Sequence, residues 1–369
     1  ALPVAGAYPA ALGNYEFAVY PTLMDRVWRA VFGTVNRTPT AGTAALASTA
    51  FASVATLDTQ PSTLEQLKFV IASSTASSAA LINIIQSGVT VETVTIGTNA
   101  GTVNGTYYSK GGYNGSVNAI TFSISGTVTS GTVVISGVTK VSSVFTIGNT
   151  TPSLVFEQSG RLEAGSGNSE YFPGCIIPSV VLNYDRSALD GLFTANCTIE
   201  GLNPSTATAG TFANDAAKYY RPYAAWTASL TLDGAAWAEV RAAQMTIAPN
   251  TGLVETSSGT QQPTDKAEGE IAATGELTII PASASRWTDY RAGTTRDVNI
   301  VFTSPYYVTG TTPYTMTFEF PVLTLGDYTR TQIQVGAAMV QGATIPFTAI
   351  YDATQSGAVR LTTVDRTPV

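Results

Sequence analysis

The chain has 369 residues, of which 44% are hydrophobic and only 12% are charged, so it contains enough apolar material for two or three globular cores. Its 18 basic and 25 acidic residues give a net charge of -7. This charge argues against a surface that binds nucleic acid, because phosphate binding needs clustered Lys and Arg. Histidine is absent, which excludes catalysis by an imidazole base.

The abundance of Thr, Ser, Gly, Ala and Val predicts a mainly β fold, because branched side chains suit a pleated surface. We expect three regions along the chain. Residues 1–75 form an N-terminal arm and an amphipathic helix, residues 76–150 a second β-rich region, and residues 151–369 an antiparallel β-sandwich.

The N-terminal region begins with an arm and a helix. Residues 1–20 have no hydrophobic period, so we expect an extended arm that needs another surface for its order. Pro21 and Thr22 then open the clearest helical pattern of the chain, and Gly33 ends it. Apolar residues at helical spacing give this helix one core-facing side, namely Leu23, Val27, Trp28, Val31 and Phe32.

The next hundred or so positions give weaker signals. Residues 34–63 are rich in small side chains and predict a loop. Residues 64–71 fit a short helix or a strand, and the periodicity of the apolar residues 78–86 does not separate the two. Residues 89–147 alternate between apolar and polar side chains, which predicts a β-meander or a small sandwich.

Strand signals become stronger after Pro152. Ile176–Tyr184 and Leu192–Ile199 predict one hairpin, and a second is predicted around the turn Asp233-Gly234. The strands of this second hairpin are Trp226–Leu232 and Trp237–Ile247. Further strands are predicted at Glu276–Ile280, Asp297–Thr303, Tyr314–Val322, Thr344–Tyr351 and Ala358–Val364. Residues 203–221 predict a long loop, either solvated or in contact with a neighbour.

The acidic residues of the second half do not form a catalytic pattern. Most lie at predicted strand ends or turns, where carboxylates bond to the backbone; they are Glu157, Glu163, Asp185, Asp190, Glu200 and Asp233. Phosphate-binding, zinc-binding and calcium-binding motifs are also missing. The sequence therefore predicts no enzyme, no catalytic, cofactor-binding or metal-binding residue, and no cofactor.

The two cysteines are expected to be buried thiols. Alternation along the first hairpin puts Cys175 on the face opposite Ile176 and Val180, whereas Cys197 shares the apolar face of its strand with Phe193. A disulfide between them would need a β-bulge, for which Pro178 is the only sequence signal. We therefore favour two separate thiols.

Aromatic residues cluster around the second predicted hairpin. A sugar-binding platform or a base-stacking surface is one interpretation, but the basic residues that nucleic acid needs are missing. Aromatic side chains on strands more often belong to a core or a subunit interface. This prediction covers Tyr219, Tyr220, Tyr223, Trp226 and Trp237.

The order of several segments in the second half carries a resemblance to a known family. These segments are Pro152–Glu157, Tyr171–Cys175, Val180–Leu182, Gly191–Gly201, Tyr223–Gly234, Leu277–Ile280, Phe318–Val322 and Thr344–Ala349. Together they resemble the major tail tube proteins of siphophages, the long-tailed bacteriophages. The resemblance covers more than half of the chain and includes no catalytic signature.

The resemblance implies a β-sandwich subunit with a flanking helix, which assembles into stacked rings whose inner sheets form one barrel around the DNA conduit. It also implies a virion protein of the tail, assembled in the host cytoplasm. The implied partners are further copies of the chain and the tape measure, tail terminator and distal tail proteins. DNA passes through the lumen without specific binding, and no membrane is involved.

Two features of the resemblance concern assembly. Residues 1–20 and 203–221 are the candidate contacts between rings. If residues 76–150 are an inserted decoration domain, the resemblance implies a hexameric ring. If they are the diverged second half of a duplicated tube fold, it implies a trimeric ring.

Two other classes of protein compete with this interpretation. An S-layer protein, an adhesin or another self-assembling virion module would share the low charge and the Thr-rich strands. A carbohydrate-active enzyme would need a paired-carboxylate cleft. We expect neither export nor a membrane span, because the start lacks a basic segment followed by an apolar core and no apolar run reaches about 20 residues.

Overall fold

The computed structural model describes residues 10–21, 24–50, 55–76, 80–97, 101–125, 128–148, 151–159, 169–186, 191–201, 205–207, 222–254, 265–267, 269–281, 295–335, 338–355 and 357–366. Strands make up most of these residues, and every pairing between strands is antiparallel. The predicted mainly β class is therefore confirmed.

The first part of the described chain contains one α-helix and ten strands. In chain order these are β1 (Ala10–Ala18), α1 (Asp25–Phe32), β2 (Gly33–Ala50), β3 (Ala55–Thr56), β4 (Gln66–Ala76), β5 (Ala80–Gln86), β6 (Val89–Gly97), β7 (Gly101–Thr102), β8 (Gly105–Tyr108), β9 (Ile120–Ser125) and β10 (Val128–Ile147).

The second part continues with strands and one 3-10 turn at Ala225–Thr227. The strands are β11 (Leu154–Ser159), β12 (Ser169–Asp185), β13 (Thr194–Gly201), β14 (Ser205–Ala207), β15 (Ala228–Leu232), β16 (Ala235–Ala236), β17 (Val240–Ala248), β18 (Gly252–Val254), β19 (Asp265–Ala267), β20 (Ala272–Ile279), β21 (Thr295–Tyr307), β22 (Pro313–Leu325), β23 (Thr329–Val335), β24 (Ala338–Ala349) and β25 (Arg360–Asp365).

The larger part of the molecule, here called the body, is a sandwich of two sheet layers. Layer 1 has the strand order β1-β13-β12-β17-β20-β24-β23. Layer 2 has the order β15-β21-β22-β25-β10-β2. Strand β24 joins the layers, because its last residues also pair with β22, as in Ala349 opposite Leu323.

Aromatic side chains fill the space between the layers. Phe193, just before β13, stacks on Phe302 of β21 with ring centroids 3.9 Å apart. Tyr184 of β12 meets the same Phe302 edge-on at 5.9 Å. Residues on the two inner faces alternate with outward polar residues, as expected for a sandwich core, and the predicted alternation of β21 and β22 is confirmed.

Helix α1 packs on this core. Trp28 is buried and meets Phe318 of β22 edge-on at 5.8 Å. The helix ends at Gly33, whose φ of 85° places it in the left-handed region that glycine tolerates best. At its start, Asp25 forms an ion pair with Arg37 of β2 at 2.6 Å. The predicted helix is confirmed over Asp25–Phe32, whereas Thr22 and Leu23 lie outside the described residues.

A second hydrophobic core, formed by residues between Ala44 and Ile135, defines a smaller part of the molecule that we call the lobe. Strands β3, β9, β5 and β6 form one of its sheets. The long strands β2 and β10 pair with each other in both parts, from Gly33 opposite Ile147 to Ala50 opposite Thr132. The chain therefore enters the lobe along β2 and leaves it along β10.

Strand β10 changes its other neighbour at the border between lobe and body. Its residues Val128–Val138 pair with β4, and its residues Val141–Phe145 pair with β25. The boundary predicted at residue 75 lies inside β4, and strands on both sides of that boundary contribute to the lobe core.

The prediction of a loop over residues 34–63 is wrong, because β2 occupies Gly33–Ala50. Most side chains of β2 are exposed or half-buried, so the strand carries no apolar alternation by which it could be recognised. The two ambiguous segments, residues 64–71 and 78–86, contain strands β4 and β5. Residues 10–18 of the predicted arm are extended and pair with β13 of the same chain.

The first predicted hairpin is confirmed as β12 and β13, with Leu182 opposite Ala195. The second is wrong in its pairing. Asp233 and Gly234 do form a turn with positive φ, but it joins β15 only to the two residues of β16. Strand β17 lies instead in layer 1 between β12 and β20. Strand β23 is an element that the sequence did not predict.

Candidate assembly surfaces

The acidic candidates do not converge on a site. Asp185 is at the end of β12, whereas Glu200 is opposite Ile176 near the other end of the β12–β13 hairpin. Asp233 forms an ion pair with Arg296 at 2.7 Å. Glu163, Asp190 and the side chain of Glu157 lie outside the described residues.

The described residues hold neither a cluster of metal ligands nor a membrane-spanning helix. Within those ranges, His, Cys, Asp and Glu side chains nowhere gather in a group of three or more that could hold a metal ion. Among the same residues, no helix has the length and apolar character needed to cross a membrane.

The two cysteines are free thiols inside the body, as predicted. Cys175 is buried and its Sγ lies 3.1 Å from the carbonyl oxygen of Phe172. Burial raises the pKa of the Cys175 thiol and raises that of Cys197 to about 12. Because the thiolate is the reactive form, both side chains act as small apolar core residues.

The predicted aromatic group divides between core and surface. Trp237 and Tyr223 are buried, and burial raises the pKa of Tyr223 well above its ordinary value. Trp226 is 59% exposed. Tyr219 and Tyr220 lie outside the described residues.

Layer 1 ends on both sides in a strand whose outer edge is unpaired within the described residues. Strand β1 pairs only with β13 at one side of the layer, and β23 pairs only with β24 at the other. Each of these strands carries a single charged residue, Glu16 on β1 and Arg330 on β23, and both are exposed. Unpaired edges with few charges are templates for pairing with another chain.

The strands of layer 2 define two opposite ends of the body. Tyr307 pairs with Pro313 at the end from which the lobe extends, called the lobe end. Ile147 and Leu325 are at the opposite end, called the far end. Strand β22 has 13 residues, so the two ends are about 40 Å apart at the usual rise per residue.

Three large aromatic side chains, called the aromatic rim, stand exposed at the lobe end: Trp226, Tyr306 and Tyr307. Each is at least half exposed. The register of β15 and β21 places them together. Ala228 pairs with Phe302 in antiparallel orientation, so the residues that precede Ala228 and those that follow Phe302 both lie toward the lobe end. Beside them, the exposed Arg186 donates a 3.4 Å hydrogen bond to the carbonyl oxygen of Trp226.

A groove of about 590 Å³ opens at the far end between the two layers. Its walls are mostly apolar and come from segments that are distant in sequence: Ile147, Pro249, Thr251, Ile271 and Tyr351, with the exposed carboxylate Glu270. Tyr351 is 54% exposed and the neighbouring Ile350 is 44% exposed. We call this feature the far-end groove.

Buried polar groups hold the lobe together and attach it to the body. Glu92 is buried and accepts hydrogen bonds from the backbone of Lys110 at 2.6 Å and of Gly111 at 2.9 Å. The guanidinium of Arg366, at the end of the body, packs against Gly112 and over the ring of Tyr314 at 5.7 Å. The sequence predicted none of these contacts, since they join residues far apart in the chain.

Two comparisons with known proteins found no relative of the chain. A scan against protein-family models matches no family, and a search of curated proteins gives no significant match. The fold of the described residues defines a class of protein, an antiparallel β-sandwich with an inserted lobe and with strand edges that no described strand covers.

Proposed function

We propose that the chain is a structural virion protein, a tail tube subunit that assembles into stacked rings around the DNA conduit of a bacteriophage tail. The observation that carries this proposal is that β1 and β23, on opposite sides of layer 1, each have one edge with no partner strand among the described residues. An edge on each side allows β23 of one copy to pair with β1 of the next. Such a head-to-tail contact closes into a ring when the rotation between copies allows it.

Charge and chemistry support the same function. The charges on the two edges, Glu16 and Arg330, have opposite signs, which favours pairing between copies over pairing of like edges. A net charge of -7 suits a conduit through which DNA moves without binding. Among the acidic candidates, Asp185 and Glu200 lie near opposite ends of the β12–β13 hairpin and Asp233 is paired with Arg296, so these residues give the competing carbohydrate-active enzyme no support.

The proposal includes self-association and, through the resemblance, contacts with tape measure, tail terminator and distal tail proteins. Six copies complete the ring if each chain contributes one tube fold. Three copies complete it if the fold is duplicated.

Negative-stain electron microscopy of the purified chain tests the proposal. We expect stacked rings or hollow tubes as concentration rises. Flat lattices would indicate an S-layer type of assembly instead, and monomers that persist at high concentration would contradict the proposal.

Edge pairing is tested with the variants Thr331→Pro and Gln332→Pro on β23. Successive residues of an edge strand point their N–H groups alternately toward and away from the paired strand, so one of the two prolines removes an outward donor. We expect that variant to keep its thermal midpoint but lose ring formation. Ser153→Pro, at an exposed position outside the strands, is the control and should assemble normally.

A further inference from the structure

We infer that the aromatic rim at the lobe end of one copy docks in the far-end groove of a second copy, so that successive rings are joined end to end. This inference rests on the proposed function and identifies the surfaces that meet in the axial direction. The occupant of the groove is therefore another copy of this chain.

The positions of the two surfaces fit an end-to-end contact. Trp226, Tyr306 and Tyr307 are at the lobe end, and the groove between Ile147 and Tyr351 is at the far end. Because the surfaces are different and face opposite directions, the contact is heterologous and can repeat without limit along one axis. The edges of β1 and β23 that no described strand covers lie at the sides of layer 1, so they are placed for contacts within a ring.

The chemistry of the two surfaces is complementary. Tryptophan and tyrosine are among the residues that most often dominate binding energy at protein interfaces. The groove offers apolar walls, and its volume of about 590 Å³ is in the range that accommodates a ligand of drug size. It therefore has room for an aromatic side chain.

Opposite charges on the aromatic rim and the far-end groove favour one orientation of the two copies. Arg186 is exposed beside the rim, and Glu270 is exposed on the wall of the groove. Opposite charges placed across an interface steer the encounter and disfavour the wrong orientation. A rim facing a second rim would bring two arginines together, whereas a rim facing a groove brings Arg186 toward Glu270.

Disulfide trapping tests which ends meet. Thr311→Cys places a thiol in the exposed loop next to the rim, and Ala272→Cys places one on an exposed position next to Ile271 of the groove. The natural cysteines are buried, so they contribute little background. We expect a cross-linked dimer when the two single variants are mixed and oxidised, and none when either variant is oxidised alone.

A charge exchange tests the same contact in assembled material. Arg186→Glu and Glu270→Arg should each shorten the tubes at least tenfold while leaving rings, and the variant with both changes should restore tube length. Trp226→Ala should yield rings without tubes. Thermal melting of each variant checks that the body still folds.

The outcomes separate this inference from the function on which it rests. Cross-linking of Thr311→Cys with itself, or tubes of normal length from Trp226→Ala, would overturn the end-to-end contact while the tube function stands. A wild-type chain that never forms rings or tubes would overturn both.

Discussion

Apolar surroundings keep both thiols of the body protonated. Burial raises the pKa of Cys197 from 9.0 to about 12 and also raises that of Cys175. In the unfolded chain the thiols ionise near their ordinary pKa of 9.0, whereas in the folded chain Cys197 stays neutral up to pH about 12. Ionisation therefore favours the unfolded state as pH rises above about 9.

We predict that neither thiol of the native chain is alkylated by iodoacetamide at pH about 8, and that both react in denaturant. The urea midpoint should fall between pH about 8 and about 10.5, and Cys197→Ala should reduce that fall. Mass spectrometry and urea titrations provide the measurements. Rapid labelling of native protein would show that the thiols are more accessible than their burial indicates.

At the scale of elements, helix α1 is held by several buried side chains, of which Trp28 is the largest. Trp28 is 2% exposed and contacts Phe318 between the layers, while Arg29 next to it is exposed. The eight residues of the helix are too few for stability on their own in water. Its stability therefore comes from packing on the sandwich.

We predict that Trp28→Ala lowers the free energy of unfolding by about 3–5 kcal/mol, because it removes a large aromatic side chain and leaves a cavity. Arg29→Ala, on the same helix, should change it by less than about 0.5 kcal/mol. Urea denaturation monitored by circular dichroism measures both. Equal effects of the two substitutions would contradict a helix anchored by Trp28.

The elements also show what local sequence can predict. Strands with one buried face, such as β21 and β22, can be predicted from the alternation of apolar and polar residues. Strand β2 cannot be predicted in this way, because it is mostly exposed and its small residues are typical of a loop. The sequence predicts the turn at Asp233-Gly234. It does not predict that β15 belongs to layer 2 and β17 to layer 1, because the pairing of strands depends on the whole core and not on the local sequence.

The candidate surfaces were predictable to a smaller extent. The aromatic group around Trp226 could be assigned from sequence to core or interface, but the separation of Trp226 from the buried Trp237 needed the fold. The far-end groove brings together Ile147, Thr251 and Tyr351, which are too far apart in sequence for any spacing rule.

At the scale of the whole molecule, the lobe is an insertion into the body. Thr40 of β2 pairs with Lys140 of β10, so the chain leaves and re-enters the body at adjacent positions. The body core contains no residue from the lobe core, since the two clusters are separate. The body therefore has a hydrophobic core of its own.

We predict that replacing residues 41–139 by Asn-Gly, a favoured two-residue hairpin turn, gives a folded body with a cooperative thermal transition. Under the proposed function this shortened chain should still form rings. Near-ultraviolet circular dichroism and microscopy are the measurements, and Trp28→Ala should destabilise the short chain as much as the full one. An aggregated or unfolded product would contradict an independent body.

The change of neighbour along β10 has a mechanical consequence. A pull on the lobe away from the body drags β10 lengthwise along β25, against the pairs from Val141–Asp365 to Phe145–Leu361. The force then acts in shear on all of these residue pairs at the same time. It does not separate them one after another, as a force perpendicular to the strands would. A lobe attached in this way can bear such a load while the body keeps its fold.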